Sequence, residues 1–426
     1  MAPLPISAGI EDVPQDAAAP RHHALAERFF AVRAATEALA APLSAEDQTV
    51  QSMPDASPAK WHRAHTSWFF ETFVLQPHQP GYRCFDPDFS YLFNSYYEAV
   101  GARHQRNARG MITRPGIDEI AAYRAHVDAA MARLLAESRP DVAEIVELGL
   151  QHEQQHQELL LTDIKHAFSA NPLLPAYLPP PLTDAAARAP ELEWIELPGG
   201  RHTIGHQAQG FCFDNETPAH DVLLADFRIA ARPVSVGEYL EFIEDDGYRQ
   251  ASLWLSDGWA LVNSQAWKAP LYWEERDGVW SSYTLHGLLP LNSAEPVCHV
   301  SLYEAAAFAA WAGRRLPTEF EWEVAARRFD GATARLSLAR PHPRPLANGF
   351  RQDVWEWTGS AYLPYPGYRP APGAVGEYNG KFMINQMVLR GGSCATPPGH
   401  ARPTYRNFFP AAARWQFSGF RLAQDV

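Results

Sequence analysis

The sequence predicts an α+β protein of more than one domain, in which a helical bundle is followed by a mixed, loop-rich domain. Three observations support this fold class. At 426 residues the chain is longer than one ordinary core accommodates. Apolar residues recur with helical spacing before about residue 170, whereas glycine, proline and tryptophan become frequent after about residue 190. The predicted boundaries are 1–175 for the bundle, 176–190 for a linker and 191–426 for the second domain.

Local patterns predict the elements of each part. The stretches HHALAERFFAVRAATEALAAPL and IDEIAAYRAHVDAAMARLLAE repeat apolar residues every three or four positions, and three or four such helices suggest a bundle. Six prolines between residues 171 and 190 exclude a continuous helix or strand there. The second domain has the pattern of short strands and loops, with one clear helix at residues 301–328.

The composition argues against several classes of function. A net charge of -13, with 46% apolar and 20% charged residues, is typical of a soluble globular protein without a nucleic-acid partner. Residues 1–20 have no apolar signal-peptide core, and no later run reaches the roughly 18 apolar residues of a membrane span. Four scattered cysteines predict neither a disulfide framework nor a cysteine metal site. We therefore expect a cytoplasmic protein.

Two histidines stand in the segment LQHEQQHQELLL, where a bundle helix should be apolar. On a 3.6-residue helix, His152 and His156 share one stripe with Ile145, Leu148 and Leu159. Burying two imidazoles costs free energy unless each finds a partner. Side chains four positions apart on a helix are spaced to bind one metal ion. The pair therefore indicates a metal site, although for HxxxH alone satisfied core or surface histidines are the commoner explanation.

The segment SPAKWHRAHTSWFFETF offers a third ligand. Ser57 and Pro58 are typical of a helix start, after which His65 shares a face with Trp68. His62 lies on a neighbouring face, and helical geometry does not choose firmly between the two histidines. Three neutral nitrogen ligands leave open positions for oxygen activation, and the same set also suits zinc hydrolysis. The spacing does not identify the metal.

Further residues are candidates for catalysis or binding. Tyr96 and Tyr97 could deliver a proton or hydrogen atom, although tyrosines more often pack in cores or interfaces. Arg103 and Arg106, in the basic segment GARHQRNARG, could bind a carboxylate or only water. Aromatic residues near the C-terminus could enclose a quaternary ammonium group by cation–π attraction, or simply form a core. They are Tyr405, Phe408, Phe409, Trp415, Phe417 and Phe420.

Several long motifs, in one order along nearly the whole chain, resemble a known family. In the first part they are SPAKWHRAHTSWFFETF, FDPDFSYLFNSYYEAVG and LGLQHEQQHQELLLTDIKHAF. In the second part they include FDNETPAHDV, DVWEWT, GEYNGKFMINQMVLRGGSCATP and YRNFFP. The family is that of the EgtB-like hercynine oxygenases, the non-haem iron sulfoxide synthases of ergothioneine biosynthesis, with OvoA and the selenoneine synthase SenA as relatives. The resemblance implies a DinB-like helical bundle followed by a C-type-lectin-like domain related to formylglycine-generating enzyme.

The resemblance also implies a metal centre. His65, His152 and His156 would hold Fe(II) as an all-histidine site, with O₂ as co-substrate, and this selects His65 over His62. The isolated cysteines argue against the thiol-based copper chemistry of formylglycine-generating enzyme.

The implied reaction joins hercynine to a thiol, either cysteine or γ-glutamylcysteine, at the imidazole C2 carbon and yields a sulfoxide. Gln155 would hydrogen-bond the substrate imidazole, and Tyr96 or Tyr97 would be the catalytic tyrosine. We further expect the loops that carry Trp415 and Phe417 to place the substrates between the two domains.

Three alternatives stay open at the level of the sequence. A selenoneine synthase would join hercynine to a selenosugar through a C–Se bond, with the same iron site. A thiol dioxygenase would consume O₂ without hercynine. A non-catalytic ligand-binding protein would use the histidines to hold structural zinc. The oligomeric state does not follow from the sequence.

Overall fold

The computed structural model describes residues 19–137, 139–179, 188–207, 210–329, 341–350, 353–371, 373–377 and 379–426. The first 18 residues and residues 180–187 of the predicted linker lie outside these ranges. The described chain consists of a helical bundle and a second part that combines helices with four small sheets. Among the described helices, none is both long and apolar enough to span a bilayer.

Within the described ranges, the bundle contains four main helices and two short ones. They are α1 (Ala19–Ala40), α2 (Ala59–Phe70), α3 (Gln76–His78), α4 (Phe89–Phe93), α5 (Ile117–Ala136) and α6 (Pro140–Ser169). A π-helical turn at Glu71–Leu75 joins α2 to α3. Helix α2 packs against α1, α5 and α6, and every one of its residues is buried. Its polar side chains must therefore bond to other protein groups or to a ligand.

Helix α2 begins one residue later than the sequence pattern predicts. Its first residue is Ala59, and the Ser57 hydroxyl does not cap it. Instead, the Ser57 hydroxyl accepts a hydrogen bond from Arg109 at 2.9 Å, and the Ser57 N–H donates to Asp163 of α6 at 2.8 Å. The start of α2 is therefore tied to α6 rather than closed by its own cap.

Helix α6 is the central element of the molecule. Its 30 residues span about 45 Å at 1.5 Å per residue. Pro140 occupies a first-turn position, where the missing N–H has no intrahelical partner to lose. Helix α6 packs on α1 and α2 along one side. Its other side meets the second part of the chain, so residues on α6 contact both parts.

The second part is a mixed domain. Its helices are α7 (Val236–Glu244), α8 (Ser256–Gln265), α9 (Leu302–Trp311) and α10 (Glu319–Arg328). Its strands are β1 (Trp194–Leu197), β2 (Gly200–Ile204), β3 (His220–Leu224), β4 (Phe227–Ala230), β5 (Trp273–Arg276), β6 (Val279–Thr284), β7 (Gly287–Pro290), β8 (Trp355–Ala361), β9 (Met387–Arg390), β10 (Asn407–Phe409), β11 (Ser418–Phe420) and β12 (Ala423–Asp425).

The strands form four separate sheets with the orders β1-β4-β12, β10-β9-β8-β11, β2-β3 and β5-β6-β7. The pair β8 and β11 is parallel, and the other described pairs are antiparallel. Small sheets joined by long connections leave many loops at the domain surface, where they can form a site.

Residues 301–328, which the sequence pattern predicts as one helix, form two. Helix α9 ends at Trp311, and Gly313 just beyond it has a φ of +63°, the left-handed conformation that favours glycine. Helix α10 starts at a capping box, in which Thr318 and Glu321 each bind the backbone N–H of the other at 3.1 and 2.7 Å. A helix stop signal and a helix start signal therefore divide this periodic segment into two helices.

The two parts of the chain meet along α6. Glu158 of α6 accepts hydrogen bonds from Trp355 Nε1 at 2.8 Å, Ser393 Oγ at 2.5 Å and Thr396 Oγ1 at 2.7 Å. Tyr177, inside the predicted linker, is also buried, and its N–H and hydroxyl bond to the second domain and to α1 respectively. The interface therefore includes specific polar contacts, and it extends to the start of the predicted linker.

Candidate metal centre and substrate cavity

Three histidines from two helices converge inside the bundle. His65 of α2 and His152 and His156 of α6 each place one ring nitrogen within 4.8 Å of the others. Their ring centroids are 4.9, 4.7 and 4.6 Å apart. Since metal–nitrogen distances are about 2.1 Å, small ring rotations would let one ion contact all three.

Hydrogen bonding determines which nitrogen of His65 faces this centre. Its Nδ1 lies 2.6 Å from the carbonyl oxygen of Phe93, so Nδ1–H donates and Nε2 keeps its lone pair. That Nε2 is buried and has no hydrogen-bond partner among the described residues. The ring is stacked between Trp61 and Trp68, at centroid distances of 4.5 and 5.4 Å. A buried, unpaired nitrogen held in one orientation fits a metal ligand.

His62, the other histidine of WHRAHT, lies outside the three-histidine centre. Its Nδ1 is 2.8 Å from Nδ1 of His156, and its Nε2 is 3.0 Å from Oδ2 of Asp163. A carboxylate only accepts, so His62 Nε2–H donates to Asp163 and His62 Nδ1 accepts from His156. With its Nδ1–H donated to His62, His156 keeps the lone pair of Nε2 available for a metal. His62 is therefore an outer partner of the candidate ligand His156.

Burial keeps the three histidines of the centre uncharged. Desolvation lowers the pKa of His152 to about 3 and holds the pKa values of His65 and His156 well below their usual range. The neighbouring imidazoles lower the pKa of His65 and His156 further. Neutral imidazole is the form that binds metal. Three such nitrogens suit iron, zinc or copper and leave coordination positions open for reactants.

A buried ion-pair network lies beside His152. Glu153 is fully buried and accepts hydrogen bonds from Arg33 and Arg124, each at 3.0 Å, and from Thr36 at 2.7 Å. Burial raises the pKa of such a carboxyl, but the two guanidinium groups outweigh it and lower the pKa of Glu153 to about 2. The network joins α1, α5 and α6. The network is not among the site residues predicted from the sequence, although the glutamate inside HEQQH was a signal.

A cavity of about 290 Å³ lies between α6 and the second domain. Seven residues selected from the sequence line it, namely Tyr96, Arg106, Gln155, Tyr405, Phe408, Phe409 and Trp415. The wall also includes Asp55, Glu158, Asn215, Phe382, Arg406 and Asn407. A larger cavity of about 780 Å³ opens beside the N-terminal half of α6 and shares Phe213 and Asn379 with the first. We assign the smaller cavity to the site because Gln155, on its wall, directly precedes the candidate ligand His156.

The two predicted tyrosines have different surroundings. Tyr96 lines the cavity, and its ring centroid is 5.3 Å from that of Phe382 in the second domain. Tyr97 is 1% exposed and packs on Trp68, which in turn stacks on His65. The two tyrosine rings are 5.0 Å apart, and burial raises the pKa of Tyr97. Tyr96 can therefore contact a substrate, whereas Tyr97 packs beside the metal centre.

The second domain holds the loop that carries these tyrosines. The Glu377 carboxylate accepts hydrogen bonds from the N–H groups of Glu98 and Ala99, each at 3.0 Å. Lys381 donates to the carbonyl oxygen of Tyr96 and pairs with Glu377 at 3.1 Å. The position of Tyr96 thus depends on contacts between the two parts of the chain.

Of the other predicted binding residues, some line the cavity and others lie outside it. Arg106 and Trp415 line the cavity. Arg103 instead pairs with Glu98 at 2.7 Å, with both side chains exposed. Phe417 is 1% exposed and belongs to a core cluster formed by both parts of the chain. A bend at residues 415–417 turns the two aromatic rings to different surroundings, which a sequence pattern does not show.

Gln155 presents an unpaired acceptor on the cavity wall. Its Nε2 donates to the Tyr405 hydroxyl at 2.6 Å. Its Oε1 is buried and has no hydrogen-bond partner in the described ranges. Leaving a buried carbonyl oxygen unpaired costs about 1–3 kcal/mol, which a ligand N–H would recover.

Comparisons with known proteins agree with this architecture. Residues 28–160 match the DinB superfamily, and residues 180–338 and 348–426 match the sulfatase-modifying factor enzyme 1-like domain. These matches confirm the predicted fold class. A formylglycine-generating enzyme of Streptomyces coelicolor is 30% identical over 295 residues, covering 54% of this chain and 89% of the relative.

Other relatives match both parts of the chain. The hercynine oxygenase of Mycolicibacterium smegmatis is 34% identical over 416 residues, covering 88% of this chain and 93% of the relative. The hercynine oxygenase of Mycobacterium tuberculosis is 33% identical over 407 residues, covering 88% of this chain and 92% of the relative. With similarity of this extent across the bundle and the second domain, the chain belongs to the hercynine oxygenase family.

Proposed function

We propose that the protein binds Fe(II) through His65, His152 and His156 and joins hercynine to cysteine or γ-glutamylcysteine in ergothioneine biosynthesis. In the balanced reaction, the imidazole C2–H bond and the thiol S–H bond break and a C–S bond forms. One oxygen atom of O₂ enters the sulfoxide and the other leaves as water. The convergence of three neutral imidazoles carries this proposal, together with an interdomain cavity lined by Gln155, the residue before His156. The similarity to named hercynine oxygenases supports the choice of substrate.

The cavity wall offers partners for the imidazole and the quaternary ammonium of hercynine and for the carboxylate of the thiol. The unpaired oxygen of Gln155 accepts the imidazole N–H. The rings of Trp415 and Phe408 face a quaternary ammonium, a contact worth roughly 0.5–2 kcal/mol. Arg106 supplies a positive charge for the carboxylate of the thiol substrate.

Tyr96 is the proposed proton or hydrogen-atom donor, because it lines the cavity and its loop is held by the second domain. Tyr97 supports it from the core. When bound, iron would supply the oxygen activation and one-electron chemistry that these side chains lack. Closure of the site between two domains excludes water from the reacting groups.

Anaerobic reconstitution with iron tests the proposal. After addition of hercynine, cysteine or γ-glutamylcysteine, and O₂, mass spectrometry should detect the sulfoxide, and the His152→Ala variant should form none. Absence of any C–S product from the wild-type protein with every thiol would contradict the proposal. A preferred C–Se product in competition with a selenosugar would identify a selenoneine synthase instead. O₂ consumption without hercynine would indicate a thiol dioxygenase, and tightly bound zinc without O₂ consumption would indicate a structural site.

A further inference from the structure

A continuous chain of hydrogen bonds runs from Glu147 on α6 to Gln155 in the cavity. Glu147 Oε1 accepts from Gln151 Nε2 at 2.9 Å, and Gln151 Oε1 lies 2.7 Å from His400 Nδ1. His400 Nε2 lies 3.3 Å from the Tyr405 hydroxyl, which accepts from Gln155 Nε2 at 2.6 Å. The three α6 residues are four positions apart and share one face of the helix. The other two residues come from the second domain.

The Glu147 end sets the direction of this chain. Arg28 donates to both carboxylate oxygens of Glu147, at 2.7 and 2.8 Å. Burial alone would raise the pKa of Glu147, but its hydrogen bonds with Arg28 and Gln151 outweigh burial and lower the pKa below its ordinary value. The group is therefore an anion at neutral pH. An anion only accepts, so Gln151 turns its NH₂ toward Glu147 and its oxygen toward His400. The proton of the His400 ring must therefore lie on Nδ1.

The order of donors and acceptors continues from His400 to Gln155. His400 is 1% exposed, and burial with the nearby Arg402 lowers its pKa to about 3, so the ring is neutral. With its proton on Nδ1, His400 accepts at Nε2, and the Tyr405 hydroxyl donates to it. The Tyr405 oxygen is then an acceptor for the Gln155 NH₂ group. The Gln155 oxygen is the atom that stays unpaired among the described residues.

We propose that Gln151, His400 and Tyr405 are positioning residues that keep the Gln155 oxygen available to the substrate, so that the site selects a ring presenting an N–H group. The inference rests on the proposed function, in which Gln155 binds the imidazole. A reversed Gln155 amide would set its oxygen against the Tyr405 oxygen, whose proton is already donated to His400. Two acceptors would then face each other, and the Gln155 NH₂ would meet the substrate N–H.

Gln151 and His400 provide a selective test, because neither belongs to the described residues that line this cavity. His400→Phe removes both ring nitrogens, whereas His400→Gln retains one donor and one acceptor. Gln151→Leu breaks the chain one step earlier. The matched control is Gln157→Leu, since Gln157 is another buried glutamine of α6, and its amide donates to Val32 and Thr36 outside the chain.

Calorimetry under argon, with the full-length Fe(II)-loaded protein and no thiol, would measure binding of hercynine and of its two ring-N-methyl isomers. We expect the wild type to bind hercynine roughly tenfold or more tightly than the isomer that lacks the N–H facing Gln155. This ratio should fall several-fold in His400→Phe and Gln151→Leu, and persist in His400→Gln and Gln157→Leu. A purely structural loss would weaken the binding of all ligands to the same degree and leave the ratio of their affinities unchanged.

An unchanged ratio in both His400→Phe and Gln151→Leu would overturn the inference while hercynine binding by the wild type still supports the proposed function. If His400→Phe does not fold, Gln151→Leu decides alone. Failure of the wild type to bind hercynine would instead contradict the proposed function, and this inference with it.

Discussion

The two histidines of WHRAHT differ in their partners more than in their positions on the helix. His65 bonds to a backbone carbonyl through Nδ1, and its Nε2 is left unpaired for the centre. His62 links the proposed ligand His156 to Asp163. Such outer partners hold the tautomer and orientation of a metal-binding imidazole and make it more basic. His62 and Asp163 are thus expected to tune a metal that they do not touch.

We expect His62→Phe to weaken metal binding by about 10–100-fold, the usual cost of losing an outer hydrogen-bond partner of a ligand. His62→Gln should lose less, because its amide retains an acceptor and a donor. The dissociation constant of Co(II), followed by its visible absorption, measures the effect. His166→Phe is the control, since His166 is a half-buried histidine of α6 bonded to Ser52 at 2.7 Å. Equal Co(II) affinities of His62→Phe and the wild type would refute the role of His62 as an outer partner of the metal site.

The tyrosine pair gives a second prediction for single residues. Tyr96→Phe should slow C–S bond formation by roughly 10²–10⁴, the range for a positioned proton donor, and leave thiol oxidation as the competing reaction. Tyr97→Phe should have a smaller effect because its ring is buried outside the cavity. The measurement is the ratio of hercynine sulfoxide to sulfinic acid by mass spectrometry. If only Tyr97→Phe changed this ratio, the two assignments would have to be exchanged.

At the scale of elements, α6 carries two of the three proposed metal ligands and, between them, a buried carboxylate. Glu153 joins α6 to Arg33 of α1 and Arg124 of α5. Removing one member of a buried ion pair costs about 3–5 kcal/mol, because the remaining charges lose their partner. The position of the histidines along α6 is therefore coupled to the packing of three helices.

Glu153→Gln should accordingly lower the free energy of unfolding by about 3–5 kcal/mol, measured by urea denaturation at pH 7. Asp128→Asn is the matched control, because Asp128 also pairs with Arg33 at 2.7 Å but its side chain is 28% exposed. Its cost should be nearer the 0–1 kcal/mol of partly solvated pairs. Equal costs for both variants would show that burial of Glu153 adds nothing.

The pKa of Glu153 also predicts how its contribution depends on pH. The pKa is lowered from its ordinary value of 4.5 to about 2 in the folded protein. A lowered carboxyl pKa stabilises the fold above the unfolded value, and this contribution disappears as pH falls from about 4.5 toward 2. The stability difference between the wild type and Glu153→Gln should therefore shrink across this range. A difference that grew as the pH fell would contradict the ion-pair assignment.

At the scale of the whole molecule, Glu158 joins the bundle to the second domain. Burial raises the pKa of this carboxyl, and the three donors from the second domain lower it in part. In Glu158→Leu the Trp355 N–H and two hydroxyl groups lose their acceptor. Each unsatisfied buried group costs about 1–3 kcal/mol, so we expect a loss of about 3 kcal/mol or more.

Scanning calorimetry of Glu158→Leu should therefore show separate unfolding of the two parts at a lower temperature than in the wild type. Glu144→Leu is the control, because Glu144 is exposed on the same helix. A single unchanged transition in Glu158→Leu would mean that other contacts hold the domains together.

Much of the site was predictable because its residues lie on strongly periodic helices. His152 and His156 share a stripe by spacing alone, and the structure brings His65 to them. Trp415 and Phe417 show the opposite case, since one lines the cavity and the other is buried in a core cluster. These two aromatic residues are only two positions apart in sequence, but a bend in the backbone gives them different surroundings. No composition rule predicts this bend.

The sequence by itself determined the two-part fold, the helices that carry the histidines and the family, because periodicity, capping signals and long motifs are local properties. Only the tertiary structure decided that His62 bonds to His156 and that the Gln155 oxygen is left unpaired among the described residues. The physical reason is that a hydrogen-bond partner fixes a tautomer or an amide orientation. In this protein the partners, such as Asp163 and Tyr405, lie about 100 and 250 residues away along the chain.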